Sequence, residues 1–215
     1  MKFSLIEPYA PMFVGGLAVT CKVTAAALLL AFVAGFAIAV LKVIPCKPLR
    51  LLLDFYTSIF RGVPLIVLLF IAYFATPQLT GYKITMFTAS VLTLGLNGSA
   101  TVSETVRGGI EGVDRGQYDA SRALGLSYIT MMSKVIIPQA LRSVAPALVN
   151  EVITVLKSSS LVATIGLMDM MRAAQSVQAI TYRAFEPFIV VAIVYYVIVM
   201  ALVAVANRLE RRMRA

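Results

Sequence analysis

Residues 186–208 read EPFIVVAIVYYVIVMALVAVANR, and the 21 residues between Glu186 and Arg208 carry no charge. An α-helix rises about 1.5 Å per residue, so about 20 apolar residues cross the roughly 30 Å hydrocarbon core of a bilayer. The apolar residues are continuous rather than alternating, which favours a helix over a barrel strand. This stretch therefore predicts a membrane-spanning helix at about 187–207.

The whole chain has the composition of a membrane protein. Of its 215 residues, 60% are hydrophobic and 13% are charged, and its mean hydropathy is +0.90. A water-soluble domain is nearer half apolar and a quarter charged. The absence of His excludes His-based catalysis and proton relays, and two Cys, Cys21 and Cys46, are too few for a metal cage or a disulfide scaffold. No metal site is expected.

Three further stretches are long enough to span a bilayer. They contain 19, 21 and 20 uncharged residues, and they lie between Lys22 and Lys42, between Arg61 and Lys83, and between Lys83 and Glu104. Each run is continuous, so each predicts a helix rather than a strand.

A fifth span is less obvious because its apolar run, 146–168, contains Glu151 and Lys157. Ser143 or Ala145 is expected to cap this helix, with Pro146 in the first turn, where a missing N–H has little effect. The sequence thus predicts an all-α integral membrane protein with one domain over residues 1–215. Its spans are expected at about 12–41, 55–78, 84–107, 146–168 and 187–207, with a cytoplasmic loop at about 108–142.

Basic residues are unevenly distributed between the two sides of this five-span arrangement. With the N-terminus outside, twelve Lys and Arg fall inside, three of them (Lys42, Lys47, Arg50) after the first span, five in the long loop and four after the last span. Four fall outside, namely Lys2, Lys83, Arg172 and Arg183. Basic residues concentrate in cytoplasmic loops, so the N-terminus is expected outside and the C-terminus in the cytoplasm. This also accounts for the net charge of +9 without nucleic-acid binding.

The long loop predicts two short helices. In the first, at 117–124, Ala120, Ala123 and Leu124 form one apolar stripe at i, i+3 and i+4. Gly125 suits the end of this helix because glycine accepts positive φ. A helix of this kind could lie against its own bundle or dock into a groove of another protein, and the spacing alone favours the first.

The second loop helix is expected to begin at Ser127, whose side chain can cap it. It is expected to run to about Ile137 and stop at Pro138, because the residue before a proline disfavours helical conformation.

The loop resembles that of a known family, the membrane permeases of bacterial ABC importers, in the branch that takes up polar amino acids. That family carries Glu-Ala-Ala, three residues, Gly, nine residues, then Ile-x-Leu-Pro. The matching residues, at the same spacing, are Asp119, Ala120, Ser121, Gly125 and Val135-Ile136-Ile137-Pro138.

Three further segments resemble the amino-acid branch of this family. They are Phe60-Arg61-Gly62-Val63-Pro64-Leu65; Asn97 to Ala100 with Glu104, Arg107, Gly108, Gly109 and Ile110; and Asn150-Glu151 with Lys157-Ser158-Ser159-Ser160-Leu161. The chain departs from the usual pattern where Leu68, Thr101 and Ser158 replace Gln, Tyr and Asp.

The resemblance implies a division of labour between several subunits in the bacterial cytoplasmic membrane. A second permease copy or a sister permease would complete the pore, a dimer of ATPase subunits would sit inside, and a substrate-binding protein would deliver an amino acid from outside. The chain has no G-x-x-x-x-G-K-[ST] phosphate loop, so ATP and Mg²⁺ would be bound by the ATPase, and this chain is expected to be no enzyme and to hold no cofactor.

The resemblance also implies which residues contact the ATPase. They are Asp119, Ala120, Ser121, Ala123, Gly125 and Pro138. The small residues would allow close backbone approach, and Asp119 would either cap the first loop helix or pair with a basic residue of the partner.

Polar residues at membrane depth are candidates for the substrate path because they are costly in lipid. Asn97, Glu151, Lys157 and Ser160 are the candidates. Glu151 with Asn97 could bind an ammonium group, and Lys157 with the hydroxyls of Ser158, Ser159 and Ser160 could supply donors. The alternative for Glu151 and Lys157 is a structural partner on another span.

Three further charged residues are expected to be structural. Glu104 and Arg107 are three residues apart and predict an ion pair at the cytoplasmic end of their span. Arg61 is expected to anchor its helix at a membrane interface.

The main rival function is a secondary transporter or a channel subunit for a small polar solute. A secondary transporter usually shows inverted repeats with broken helices, and five spans in a chain of this length give no such repeat. A membrane enzyme is the other rival, but no catalytic pair lies at suitable spacing in a sequence without His.

Overall fold

The structure, a computed structural model, describes residue 4 and residues 6–214, and side chains up to residue 208. Within these residues there are ten α-helices and no strand, which confirms the all-α prediction. The helices are α1 Ala10–Val43, α2 Lys47–Gly62, α3 Leu65–Phe70, α4 Thr76–Thr80, α5 Met86–Glu111, α6 Arg115–Ala123, α7 Tyr128–Met131, α8 Ile137–Ser158, α9 Met170–Thr181 and α10 Phe185–Arg214. Lys2, one of the four basic residues assigned to the outside, lies beyond the described residues.

The centre of the bundle is the pair α1 and α5, which run parallel and pack through glycines. A Cβ on Gly35 would lie 2.7 Å from the side chain of Val102, and one on Gly95 would lie 2.6 Å from that of Leu30. Small residues let membrane helices approach closely enough for van der Waals packing to hold them together. Both helices end near α6, and this end of the bundle is called the α6 end below.

The second predicted span, 55–78, is wrong as one continuous helix. α2 ends at Gly62, α3 begins at Leu65, and the segments Lys47–Gly62 and Leu65–Thr80 meet at 103°. Pro64 has no N–H to donate, and Val63 before it has an extended ψ of 134°. The chain therefore turns sharply within the apolar run.

Two later prolines do not end their helices, because a π turn precedes each of them. The turns Ile71–Ala75 and Met132–Ile136 are each followed after one residue by a proline, Pro77 and Pro138. The wider turn relieves the clash between the proline ring and the carbonyl four residues earlier. The predicted stop at Pro138 is therefore wrong, although Ser127 does cap α7 as expected.

The span predicted at 146–168 begins earlier than expected. α8 starts at Ile137 with Pro138 in its first turn, so Pro146 lies inside the helix rather than at its start. Because α7 and α8 are joined through the π turn, residues 128–165 form one helical segment of 38 residues. The last part of the predicted loop, 128–142, belongs to this segment.

Three helical segments are long and apolar enough to cross a membrane, namely Glu7–Val43, Tyr128–Ile165 and Phe185–Arg208, and the bent pair would make a fourth. α5 has 26 residues, long enough at about 39 Å. It is less apolar because it buries hydroxyls, among them Ser90, Thr93, Ser99 and Ser103. The count of five spans thus stays a prediction.

α9 is an element that the sequence reading missed. Asp169 caps it, with its side chain accepting from the N–H of Arg172. Its buried residues Met170, Ala173 and Val177 pack against Phe13 of α1 in one apolar cluster. The segment between the spans predicted at 146–168 and 187–207 is therefore folded against the bundle.

Candidate functional site

Three helices carry polar stripes of the same spacing. Each stripe has three polar side chains at i, i+4 and i+7, which places them on one helix face. They are Asp54, Ser58 and Arg61 on α2; Asn97, Thr101 and Glu104 on α5; and Asn150, Thr154 and Lys157 on α8. All nine residues are partly or fully exposed in this chain. A polar face within an apolar bundle usually lines a cavity or contacts a partner.

The stripe of α5 lies between the contacts that this helix makes with α2 and α8. On one side, the hydroxyl of Tyr56 on α2 lies 2.6 Å from that of Ser99 and donates to the carbonyl of Leu96. On the other side α8 packs on Gly98 and Gly109, where an added Cβ would touch Glu151 and clash with Val144. The stripe of α5 therefore faces the space between α2 and α8, which is called the groove below, with α5 as its floor.

The α2 wall borders an open, polar part of this groove with a volume of about 390 Å³. Its lining residues are Asp54, Thr57, Ser58, Arg61, Gly62 and Glu104. A volume of this size is within the range of small-molecule sites.

A buried lysine holds the α6 end of the groove together. The ammonium of Lys42, on α1, is fully buried and lies 2.8 Å from Asp54 and 2.6 Å from Glu104. It also donates to the hydroxyl of Thr57 at 2.8 Å, so all three of its hydrogens have acceptors. Lys42 therefore lies within α1 and joins α1, α2 and α5 rather than following the first span in a loop, and its position on the cytoplasmic side stays a prediction.

Glu104 and Arg107 form the expected ion pair, with Nη2 of Arg107 2.7 Å from Oε2 of Glu104. Arg107 also pairs with Glu111 at 2.7 Å. Together with Lys42 these residues form one connected charge network. Glu104 accepts from both Lys42 and Arg107, and Glu111, whose side chain is 56% exposed, accepts from Arg107.

Asn97 has a structural partner that the sequence reading missed. Its side-chain amide donates to the carbonyl of Phe60. In a continuous helix that carbonyl would accept from the N–H four residues later, but residue 64 is a proline. Asn97 therefore satisfies the carbonyl that Pro64 leaves free and fixes the end of α2 against the middle of α5.

Glu151 and Lys157 do not pair with each other or with another side chain in the described part of the chain. Glu151 is 9% exposed, and its Oε1 lies close to Gly98 on the groove floor. Lys157 lies on the exposed face of α8. The structural partners considered for these two residues are thus absent from residues 6–208.

The serine hydroxyls after Lys157 are not free donors. Ser159 donates to the carbonyl of Leu156 at 2.7 Å, and Ser160 donates to that of Lys157 at 2.8 Å. Ser159 is also fully buried. In this structure the hydroxyls of Ser159 and Ser160 thus donate within the end of α8, and the place of Ser160 in the substrate path stays a prediction.

Arg61 lies next to Phe60 and hence level with Asn97, at the middle of α5 rather than at an end of the bundle. This differs from the membrane-interface position expected for it. Its guanidinium has no ion-pair or hydrogen-bond partner among the residues described.

At the α6 end, the first loop helix is present and exposes its small residues. α6 runs from Arg115 to Ala123, and Ala120, Ala123 and Leu124 are exposed, with Leu124 78% exposed. Gly125 ends the helix with a positive φ of 69°. The stripe therefore points away from the chain's own bundle, contrary to what its spacing favours.

Asp114, not Asp119, caps α6, with its Oδ1 accepting from the N–H of Gly116 at 2.8 Å. Asp119 is 75% exposed and lies 3.8 Å from Arg122. The capping hypothesis for Asp119 is wrong because the helix begins five residues earlier than that role requires.

The opposite face of α6 is tied to the bundle. Ser121 is buried, Tyr118 donates to the carbonyl of Ile110 at 3.0 Å, and Gln139 of α8 donates to Gln117 at 3.2 Å. Burial raises the pKa of the Tyr118 phenol, so it stays a neutral donor at pH 7. α6 is thus linked directly to both α5 and α8, the helix in which Pro138 and Glu151 lie.

Comparison with known proteins places this bundle among membrane transport subunits. Residues 22–215 match the family described as the inner membrane component of binding-protein-dependent transport systems. The arginine transport system permease protein ArtQ of Bacillus subtilis is 40% identical over 215 residues, covering 100% of this chain and 98% of that protein. A putative glutamine transport system permease protein GlnP of Rickettsia bellii is 41% identical over 213 residues, 99% and 96% of the two chains.

Two solved structures have the same fold. A chain of an amino acid ABC transporter, crystallised with histidines, is 40% identical with a TM-score of 0.93 and 99% coverage of both chains. A chain of the MetNI methionine ABC transporter in an inward-facing conformation has a TM-score of 0.82 at 23% identity, covering 96% of this chain and 98% of that one, which supports the fold alone.

The fold and the groove thus define a membrane permease subunit. The chain belongs to the family of inner membrane components of binding-protein-dependent transport systems.

Proposed function

We propose that this chain is the permease subunit of an ATP-driven ABC importer and translocates a polar, in particular a basic, amino acid. The observation that carries the proposal is the set of three exposed polar stripes on α2, α5 and α8, together with the unpaired carboxylate of Glu151. A membrane scaffold would not need three such polar faces on its apolar helices. Relatives named as arginine and glutamine permeases over the whole chain support the amino-acid class.

The groove is open on one side in a single chain, and a second permease copy or a sister permease would close it. An ATPase dimer would bind the exposed face of α6 from the cytoplasm, and a binding protein would deliver the amino acid at the opposite end. ATP and Mg²⁺ belong to the ATPase in this arrangement.

The test is uptake by the complete assembly of permease, ATPase and binding protein in liposomes, across a panel of amino acids. We expect uptake to require ATP on the side of the liposome membrane that the ATPase faces. We also expect the rate of ATP hydrolysis to rise when the transported amino acid is present. Uptake that follows an ion gradient and ignores ATP would instead identify a secondary transporter.

A first prediction concerns the exposed face of α6. Ala120→Arg introduces a long charged side chain where close contact with the ATPase is proposed. Changes at the centre of an interface often cost more than about 1 kcal/mol, or roughly fivefold in affinity. We expect the affinity for the ATPase to fall at least about fivefold. Less ATPase should then co-purify with the permease, and the rate of substrate-stimulated ATP hydrolysis should be lower.

Ala184→Arg is the matched control, because Ala184 is also exposed but lies at the opposite end of the bundle. It should retain the ATPase. If Ala120→Arg retains the ATPase and transports as well as the parent protein does, the docking role of α6 is refuted.

A second prediction concerns sidedness. The starting variant lacks Cys21 and Cys46, and a single cysteine is then introduced at residue 82 or at residue 122. Tyr82 is 73% exposed and the side chain of Arg122 is 71% exposed, so a cysteine at either position is accessible to a labelling reagent. We expect a membrane-impermeant reagent to label residue 82 directly and residue 122 only after permeabilisation. Labelling of both from the same side would contradict the proposed five-span topology.

A further inference from the structure

An apolar pocket of about 300 Å³ opens at the α6 end, where the last turn of α1 meets α7 and the π turn after it. This cavity is called the α1–α7 pocket below. Its floor includes the buried side chains of Ile110 and Met132. Its exposed rim is formed by Val40, Ile44, Tyr128 and Ile129. Single apolar side chains are common on protein surfaces, but a concave apolar surface of this size usually has an occupant.

The α1–α7 pocket lies at the level where the first apolar span ends. Val40 is in the last turn of α1, and Ile44 is the residue that follows the helix. The uncharged run of this helix ends at Lys42. The pocket is therefore at one edge of the hydrocarbon core, on the side proposed to face the cytoplasm.

An exposed apolar stripe of α1 leads to this pocket from the middle of the helix. Leu29, Val33 and Val40 are exposed, and their spacing of four and seven residues places them on one helix face. Eleven positions separate the first from the last, which is about 17 Å along the helix axis. A hydrocarbon chain that lies along this face therefore reaches the pocket without leaving apolar surroundings.

Two lysines without partners flank the α1–α7 pocket. Lys47 begins α2 three residues after Ile44, and Lys134 follows the lining residue Ser133 in the π turn. Both lysines are exposed, and neither makes an ion pair or a hydrogen bond with a residue that the structure describes. The apolar pocket thus has a basic rim.

The lining of the pocket supplies no negative charge for this rim. None of its lining residues carries a carboxylate, and Glu111, which follows the lining residue Ile110, lies 2.7 Å from Arg107. The occupant that fits must therefore combine a hydrocarbon chain with an anionic group. Basic pockets between membrane helices on the cytoplasmic side have the chemistry that binds anionic lipid head groups.

We propose that the α1–α7 pocket binds one acyl chain of an anionic phospholipid from the surrounding membrane, with the lipid phosphate at the basic rim formed by Lys47 and Lys134. The hydroxyl of Ser133 makes no hydrogen bond within the described residues and adds a donor at this rim. The lipid lies against α7 and the π turn, the segment that joins α6 to α8. This inference goes beyond the proposed function and does not depend on which solute is transported.

The test uses the absence of Trp from the chain, because one introduced tryptophan then reports on lipid at one place. Tyr128→Trp places the indole at the rim of the pocket. Val197→Trp is the control position, exposed on α10 with no basic residue within ten positions. Each full-length variant is reconstituted in bilayers of phosphatidylcholine and phosphatidylglycerol, in which one of the two lipids carries brominated chains that quench tryptophan on contact.

The ratio of quenching by the two brominated lipids gives their relative affinity at each reporter. We expect phosphatidylglycerol to bind at residue 128 at least about fivefold more strongly than phosphatidylcholine, since one lysine near a membrane surface contributes about that factor. The ratio at residue 197 should be close to one. The measurement at residue 128 is repeated with the ATPase bound, after its tryptophans have been replaced by phenylalanine.

Variants in the Tyr128→Trp background test the basic rim. Lys134→Gln should lower the affinity ratio, and adding Lys47→Gln should bring it close to one. Lys83→Gln is the matched control, the same change at an exposed lysine of the opposite end, and it should keep the ratio. Because neither rim lysine has a partner within the protein, both changes should leave the melting temperature in lipid-free detergent unchanged.

A further variant tests the acyl chain separately from the charges. Ser133→Phe places an apolar ring in the lining and keeps both lysines, so it should lower quenching by brominated phosphatidylglycerol at residue 128. Ile129→Trp, on the same rim, is the reporter if Tyr128→Trp does not fold.

Three results would overturn the lipid site. An affinity ratio close to one at residue 128 means that only ordinary surrounding lipid is present. Loss of quenching by both lipids means that protein covers the pocket, either a second copy of this chain or, where it appears only on addition, the ATPase. A parent ratio retained after both lysines are replaced removes the basic rim. None of these measurements reads transport, so failure of ATP-dependent uptake is a separate result.

Discussion

Lys42→Met is expected to destabilise the assembly more than any other single change considered. It removes a fully buried ammonium and leaves the carboxylates of Asp54 and Glu104 facing an apolar side chain. Removing one partner of a buried ion pair costs about 3–5 kcal/mol, because the remaining charge is left without compensation. Since Asp54 is 48% exposed and Glu104 keeps Arg107, we expect about 3 kcal/mol, seen as a lower apparent melting temperature and yield.

Lys47→Met is the matched control for this variant. Lys47 begins α2, is exposed, and has no hydrogen bond or ion pair to any described residue, so its replacement should change stability by less than about 0.5 kcal/mol. Adding Glu104→Gln to Lys42→Met should restore part of the loss, because one of the unpaired charges is gone. Equal melting temperatures for Lys42→Met and Lys47→Met would show that the network contributes nothing to stability.

Lys42 also shows what a single sequence leaves open. Its charge, at the end of an apolar run, correctly marked the end of α1. Its partners are residues 54, 57 and 104, so the contact depends on how three helices pack, and Glu104 is 62 positions away. Counting charges predicts which end of a bundle a lysine occupies, but it does not predict burial.

The long apolar helices α1 and α10 were predictable because run length alone determines them. Their observed ends, Ala10–Val43 and Phe185–Arg214, lie within a few residues of the predicted spans except at the C-terminal end of α10. The break in the second span had a local signal, since Gly62-Val63-Pro64 contains two residues that interrupt helices. The uncharged run around it is long enough for a span, so run length alone does not reveal the break.

α9 had a signal of the same local kind. Asp169 precedes Met170, Ala173, Ala174 and Val177, whose spacing is that of an amphipathic helix with a capping residue. The hydrogen bond between Asn97 and Phe60 had no such local signal in the sequence. It depends on the carbonyl that Pro64 leaves free and on the position of α5 in the bundle. The polar stripes lie between these cases: the spacing predicts each stripe, but which neighbouring helices lie beside it depends on the packing.

Glu151→Gln is expected to weaken substrate binding more than it weakens folding. The carboxylate is 9% exposed, has no charged partner in residues 6–208, and lies beside Gly98 in the middle of α5. Gln has nearly the same shape, so packing is kept and only the charge is lost. A hydrogen bond to a charged group contributes about 1.5–3 kcal/mol, so affinity should fall roughly ten- to a hundredfold.

The loss should be larger for arginine and lysine than for glutamine, because a basic side chain brings a second cation near the same carboxylate. Glu111→Gln is the matched control: Glu111 is exposed at the α6 end and pairs with Arg107, so its replacement leaves the groove at the level of Gly98 unchanged. Affinity is measured on the purified assembly by equilibrium binding, with the apparent melting temperature recorded on the same samples.

A structural role for Glu151 makes the opposite prediction on the same two measurements. If Glu151 pairs with a residue of the second permease, Glu151→Gln should lower the melting temperature and the yield of the assembly while the affinity of intact complexes stays at the parent value. If it binds the ammonium of the substrate, its unpaired carboxylate is costly in the empty protein, so neutralising it should leave the melting temperature equal or raise it. The structural role thus predicts a loss of stability at unchanged affinity, and the substrate-binding role predicts a loss of affinity without a loss of stability.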